Sequence, residues 1–427
     1  MKFEKIYNEK VNETLYYAKH ESGLMVYAMP KEGFSKSYAV FGTKFGSIDS
    51  KFKLKNEAEF YEVPDGVAHF LEHKMFEQPD GGNVFESYAR HGANANAYTS
   101  FNLTAYLFEA TSDLYDNLEI LLSFVQEPYF TKENVDKEQG IIGQEIRMYD
   151  DEGSWQVSIN LLKALYHNNP VRIDIAGTVE SIAQIDDQLL YKCYNTFYNP
   201  SNMFICIAGN VDAERVLKQI KDSVKPKDSI EIERINEEEP EEVVKPYVSQ
   251  KLAVAQPIFC LGYKEKIETP ERTLKEKVTT ALLIEILAGD ASPLYKKLIT
   301  EGLINDEFSS EYFNGNGYAA VIFEGESNDP ERVAEEIKAE VERVKAEGID
   351  KKLFSAIRCG MYGNAIRMFD SVEGIAMQFV DCAVCDTGLF DEIKYLRSVT
   401  VDDVYRRLLK LDGENTVLSV IKPMEEA

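Results

Sequence analysis

The sequence predicts an α+β protein of two tandem homologous domains, each a mainly antiparallel sheet covered by helices. Three observations carry that expectation. The order of strand-like and helix-like segments runs twice through the chain. Short matches recur at similar spacing, His91-Gly92 with Glu301-Gly302 and Phe108-Glu109 with Phe323-Glu324. An acidic, proline-bearing stretch from Lys221 to Gln250, poor in large apolar residues, separates halves of similar length. A diverged duplication and a coincidence of common elements both fit, and duplication is the expectation. The domains are expected over residues 1–224 and 249–427, joined by a solvated acidic linker over 225–248.

In the first half, "SYAVFGTKFGS" alternates like a strand. Pro64-Asp65 and Pro79-Asp80-Gly81-Gly82 bracket "GVAHFLEHKMFE" and predict one helix from Asp65 to about Glu77. "NVFESYARHGA" follows as a helix that His91 closes; then come strand-like "NANAYTSFNLTAYLFEA" and the helix "DLYDNLEILLSFVQ". "TKENVDKEQGIIGQEIRMYDDE" reads as a helix capped by Thr131, with Glu133 in its first turn and Val135, Ile142 and Ile146 facing inward. In the second half the order is "PIFCLGYK", "RTLKEKVTTALLIEILAG", "SPLYKKLITEGL", "SSEYFNGNGYAAVIFEGE" and "DPERVAEEIKAEVERVKAEG".

With 427 residues, 44% hydrophobic and 28% charged, this is a globular chain with material for more than one core. No apolar run reaches the ~18–20 residues that span a bilayer, and the start has no apolar signal-peptide core. A cytoplasmic address and no membrane partner follow as expectations. The net charge of −26 argues against nucleic acid, whose phosphates need a basic footprint. It permits attraction of basic ligands, although solubility accounts for it more plainly. The six cysteines are sparse and mostly set among apolar residues, as buried thiols in a reducing compartment are. Cys382 and Cys385 form a C-x-x-C that no second pair answers. His20 and His167 have no partner spacing and read as surface or loop residues.

His69 and His73 are two of only five histidines, and Glu72 stands between them. On a helix the two imidazoles lie ~40° apart on one face, with Glu72 on the same face. Two imidazoles one turn apart can share a metal ion, and a carboxylate beside them can accept a proton from water at that metal. H-x-x-E-H is the inverted order of a zinc-hydrolase motif. Zinc hydrolases use three protein ligands, so a carboxylate or histidine from another element is required. Glu138 and Glu145 lie two turns apart on one face of a later helix, about 10 Å along its axis. By composition alone, both read first as solvated surface carboxylates.

At these residues the chain resembles the pitrilysin/insulysin family of zinc metallopeptidases, which includes mitochondrial processing peptidase. Members carry H-x-x-E-H and then two glutamates seven apart, the second of which binds zinc. The resemblance implies Zn2+ held by His69, His73 and Glu145, with Glu72 as the general base and Glu138 as a catalytic-site partner that orders the site. "GANANAYTS" matches the family's Asn-Ala-aromatic-Thr-Ser segment, which implies substrate binding by Asn96 and Ala97 on an edge strand that pairs with extended peptide. "TAYLF", "YHNNPVRIDIAGTVESIAQID" and "NPSNMFICIAGNVD" extend the likeness through the first half. The implied activity is endoproteolysis of unstructured peptides inside a clam-shell chamber, of which this chain supplies one half.

The likeness breaks in the second half. The family carries an arginine and a tyrosine near L-R-x-x-x-x-x-G-Y, where this chain has Ile299 and Asn305, with Tyr312 nearby as a substitute. That implies a homodimer, or a heterodimer in which a homologous zinc-less subunit supplies the missing pair. A non-catalytic peptide-binding or structural subunit is the alternative.

Overall fold

The structure is a computed structural model that describes residues 3–235, 237–267 and 273–424. In chain order the strands are β1 (Glu4–Asn8), β2 (Glu13–Lys19), β3 (Met25–Pro30), β4 (Ser37–Thr43), β5 (Lys51–Leu54), β6 (Tyr61–Glu62), β7 (Ala93–Thr99), β8 (Thr104–Ala110), β9 (Met203–Gly209), β10 (Ile232–Arg234), β11 (Tyr247–Leu252), β12 (Ile258–Lys264), β13 (Ser309–Gly315), β14 (Tyr318–Glu326) and β15 (Thr416–Pro423). One sheet runs β1-β2-β3-β9-β4-β8-β7 and another runs β11-β15-β12-β14-β13. The last five strands of the first follow the same order as the second. In both, a single parallel pair, β3 with β9 or β11 with β15, joins otherwise antiparallel neighbours. Two sheets with the same strand order and the same lone parallel pair are what duplication of one domain produces.

Burial explains the strand sequences. The central strands β4, "SYAVFGT", and β9, "MFICIAG", are buried at every position and read as near-continuous small and apolar runs. Edge strand β7 alternates exposed and half-buried residues in its first half, which is why "ANANAYT" looks polar. The expected long strand "NANAYTSFNLTAYLFEA" is a hairpin: Ser100 to Leu103 turn the chain, with the Ser100 N–H on the Leu103 carbonyl. β13 and β14 turn likewise over Asn316-Gly317, where Gly317 has φ +79.

The chain forms two compact units, and neither is a contiguous span. The first takes residues up to Gln144, Asp174–Ile235 and Ile366–Phe390; the second takes Glu145–Ile173, Asn236–Ala365 and Asp391 onward. In the first unit the helix Val372–Cys385 lies against β4 and β9, and Phe379 stacks on Tyr27 at 5.5 Å. In the second, the helix Gly153–Leu165 lies against β12 and β15. Each unit therefore draws one helix from the half of the sequence that mostly builds the other. The C-x-x-C lies on the exchanged helix Val372–Cys385, where Cys382 is buried and Cys385 half-buried.

The stretch expected to be a solvated linker is tied down at two points. In the first unit, β10 pairs with β5, and Arg234 Nε donates to buried Asp49 at 2.5 Å. In the second, the Glu239 carboxylate accepts the backbone N–H groups of His167, Asn168 and Asn169 at 2.8–2.9 Å and the Lys264 ammonium at 2.7 Å. The side chains of Glu239 and Lys264 are 7% and 2% exposed. Burial pushes the Glu239 pKa up, but the Lys264 and backbone hydrogen bonds outweigh it and leave the group below its ordinary value. The acidic composition hid this because buried carboxylates are rare unless paired. Glu239→Ala strips three N–H groups of their acceptor and leaves a buried ammonium with only the Pro240 and Glu242 carbonyls and no counter-charge. It is expected to cost about 3 kcal/mol, read as a fall in the urea midpoint; an unchanged midpoint would show the knot to be dispensable.

Candidate metal centre

The motif helix spans Val67–Lys74, shorter at both ends than the sequence suggests. It starts at Gly66 with φ +89, where a Cβ would sit 2.3 Å from the Ala176 carbonyl oxygen, so only glycine fits. The Asp65 carbonyl, just upstream, accepts from Ser181 Oγ at 2.8 Å. Val67, Ala68, Phe70 and Leu71 face the core, which leaves His69 and His73 half-buried on the other side, ring centroids 4.6 Å apart. The carboxylate helix spans Lys132–Asp150, with Thr131 and Asn134 capping it reciprocally through side-chain and backbone hydrogen bonds. It is continuous across the point where the chain passes from one unit to the other.

His69, His73 and Glu145 each offer a ligand atom, all within 4.8 Å of one another, and no other such group of metal-ligating side chains forms among the described residues. Two imidazole nitrogens and a carboxylate oxygen are the donor set of a catalytic zinc site. The surroundings fit. Glu138 Oε1 lies 3.1 Å from His73 Nδ1, which leaves Nε2 as the nitrogen to serve as a ligand. Burial and the neighbouring His73 push His69 down to about 3, so it is neutral, as a ligand must be. Glu138 is itself buried. Burial raises its pKa, but the His73 hydrogen bond and the Lys74 charge outweigh that and leave it below its ordinary value. Lys74, fully buried, holds this arrangement together through Glu138 at 3.6 Å, Glu77 at 2.8 Å and the Asn134 carbonyl at 3.1 Å.

Glu72 is buried on the same helix and accepts a hydrogen bond from Thr99 Oγ1 at 2.6 Å. The hydroxyls of Tyr106 and Tyr198, 2.7 Å apart, are pushed far up, by burial first and by the Glu72 charge among the lesser causes. Asn96 and Ala97 sit on β7, the outermost strand; Asn96 is exposed, and its Oδ1 accepts the Ala97 N–H at 2.9 Å.

In the second unit, Ile299 is 39% exposed and Asn305 donates to Glu326 at 2.8 Å. Tyr312, the expected substitute, has its hydroxyl on Glu265 at 3.0 Å and its ring 5.3 Å from the Arg407 guanidinium. His20, expected at the surface or in a loop, lies in a turn but is buried there, where its Nδ1 accepts the Ser22 N–H.

A self-comparison of the sequence would have exposed the duplication more sharply. "EQGIIGQEIRM" at 138–148 answers "RCGMYGNAIRM" at 358–368, and "AHFLEH" at 68–73 answers "ALLIEI" at 281–286. In these matches the second copy has Leu282 and Ile286 for the histidines, Ala365 for Glu145 and Arg358 for Glu138. Lys74 was not picked out by sequence reasoning, and Thr99, although it is the threonine of the Asn-Ala-aromatic-Thr-Ser segment, was given no role of its own.

A duplicated α+β fold with a His–His–Glu group in the first half of the sequence, and Leu282, Ile286 and Ala365 at the matching positions of the second, defines a class of proteins with one metal-competent and one silent repeat. The chain belongs to peptidase family M16. Residues 59–179 match the family model described as insulinase (peptidase family M16), and residues 184–360 match the peptidase M16 inactive domain. It is 43% identical over 401 residues to the uncharacterized zinc protease YmfH of Bacillus subtilis (strain 168), covering 93% of each chain. The crystal structure of an M16-like peptidase from Alicyclobacillus acidocaldarius superposes with a TM-score of 0.92 at 34% identity, covering 99% of both chains. The periplasmic protease PqqL of Escherichia coli shares the fold, with a TM-score of 0.74 at 18% identity; the match covers 99% of this chain and 48% of that one. Among the described residues no helix is long and apolar enough to cross a membrane.

Proposed function

We propose that the chain is a zinc-dependent endopeptidase for unstructured peptides. The observation that carries this reading is the His69–His73–Glu145 group with a buried carboxylate, Glu72, on the same helix as both histidines. In this reading those three residues hold the metal. Zinc bound there supplies Lewis acidity, which acidifies a water and polarises the scissile carbonyl. Glu72 takes a proton from the attacking water and passes it to the leaving amide nitrogen. Glu138 fixes the ring of His73 by holding Nδ1. The peptide adds as a strand along β7 at Asn96 and Ala97, which reads backbone rather than side chains and suits broad sequence tolerance. The sparse, mostly buried thiols support a cytoplasmic address.

A second copy, or a zinc-less homologue, completes a clam-shell chamber in this reading; the double length of PqqL relative to this chain supports pairing. The engagement of Tyr312 by Glu265 favours one variant, in which a partner supplies an arginine and a tyrosine that this chain lacks. The test is hydrolysis of a mixed pool of quenched peptides by the purified zinc-loaded chain. We expect cutting that chelation removes and zinc restores. No cutting by a chain carrying stoichiometric zinc would overturn the self-sufficient enzyme and leave the partner-dependent or peptide-binding subunit.

A further inference from the structure

We infer that Thr99 is a positioning residue that fixes the Glu72 carboxylate, an inference that rests on Glu72 acting as the base. Thr99 closes β7 and lies directly opposite Thr104 at the start of β8. Each threonine hydroxyl has one proton to donate. Thr104, fully buried, donates its proton to the Phe45 carbonyl at 2.9 Å. Thr99 Oγ1 lies 3.4 Å from Thr104 Oγ1 but 2.6 Å from Glu72 Oε2. The nearer, charged acceptor takes the proton, in the stronger class of hydrogen bond.

The donor is held still from behind. A β-branched side chain on a strand has little χ1 freedom. The hairpin end that carries it is docked on the loop after β4: the Ser47 N–H reaches the Ser100 carbonyl at 3.0 Å and the Ile48 N–H reaches that of Phe101 at 3.2 Å. A Cβ at Gly46 would meet the Phe101 carbonyl at 2.3 Å, so glycine is needed for that approach. Glu72, by contrast, has three side-chain torsions to fix, and ordering them costs entropy. Thr99 couples a long side chain on a helix to the rigid end of a sheet.

The second unit supplies a comparison. Ala95 pairs with Phe108 in the first sheet and Ser310 with Phe323 in the second, so Asn314 occupies the register position of Thr99. Its amide donates to the Tyr312 carbonyl at 2.8 Å, and Glu285, which answers Glu72 in sequence, is exposed. The threonine–glutamate contact belongs to the copy that carries the histidines.

The test uses the full chain with Thr99→Val, which keeps the shape and deletes the donor, and Thr99→Ser, which keeps the donor. Thr99→Val is expected to lower kcat roughly 10- to 100-fold with KM nearly unchanged, and Thr99→Ser to restore most of the rate. Zinc stoichiometry and the visible spectrum of the cobalt-substituted chain should match wild type in both. Full activity of Thr99→Val, failure of Thr99→Ser, or an altered cobalt spectrum would each overturn the inference. The contact is also read without activity, in melting of the zinc-free chain. Thr99→Val should lower the midpoint in wild type and leave it unmoved on a Glu72→Ala background. Equal shifts in both would overturn the inference even if wild type proved inactive, whereas inactivity of zinc-loaded wild type on its own counts against the peptidase reading.

Discussion

Glu72→Gln is expected to lower kcat/KM for peptide hydrolysis by about 10²- to 10⁴-fold, the usual contribution of a positioned general base. It should do so without loss of metal, because Glu72 is not among the three side chains that converge within 4.8 Å. Glutamine has nearly the same shape and still offers an oxygen to Thr99, so the fold has little reason to respond. The loss of a buried charge leaves the melting midpoint level or higher. The measurements are kcat/KM on a quenched peptide and zinc content by elemental analysis on the same preparation. Activity within tenfold of wild type would remove Glu72 from the chemistry. A loss of zinc in step with activity would mean that Glu72 supports the metal centre rather than the proton transfer.

The parts of this site that were legible in the sequence are those fixed by local geometry. His69, Glu72 and His73 share a helix face because 3.6 residues make a turn, and that holds whatever else the chain does. The same rule put Glu138 and Glu145 on one stripe. What spacing could not rank was their division of labour. In the proposed site it turns on Glu138 reaching His73 Nδ1 while Lys74, which no motif marks, holds its other oxygen. The helix boundaries slipped because the αL conformation of Gly66 answers to the Ala176 carbonyl, more than a hundred residues on. The interleaved division of the chain into units has the same root. Only tertiary packing decides which sheet the helices Gly153–Leu165 and Val372–Cys385 cover. The acidic linker misled because composition counts Glu239 as solvated when it is the acceptor in a buried knot.

Glu145→Ala and Glu138→Gln, compared side by side, should separate the two carboxylates by the size of their effect on zinc. Structural zinc sites bind with about 10–16 kcal/mol shared over four ligands, so deleting one removes ~2.5–4 kcal/mol, roughly a 10²- to 10³-fold loss of affinity. Glu145→Ala should therefore leave a chain that binds zinc weakly and cuts nothing at ordinary zinc concentrations. Glu138→Gln keeps a hydrogen-bond partner beside His73 but loses the charge, and groups in that position typically alter metal affinity by about 10- to 100-fold. It also leaves the buried Lys74 ammonium with the Glu77 carboxylate at 2.8 Å, which limits the damage to the fold. Competition with a chromophoric chelator reads both affinities on the same scale. The reverse order, with Glu138→Gln the more severe, would put Glu138 on the metal and make Glu145 the bystander. The contact between Glu138 Oε1 and His73 Nδ1 would then belong only to the metal-free state, because a carboxylate drawn to the metal cannot also hold the far side of the ring.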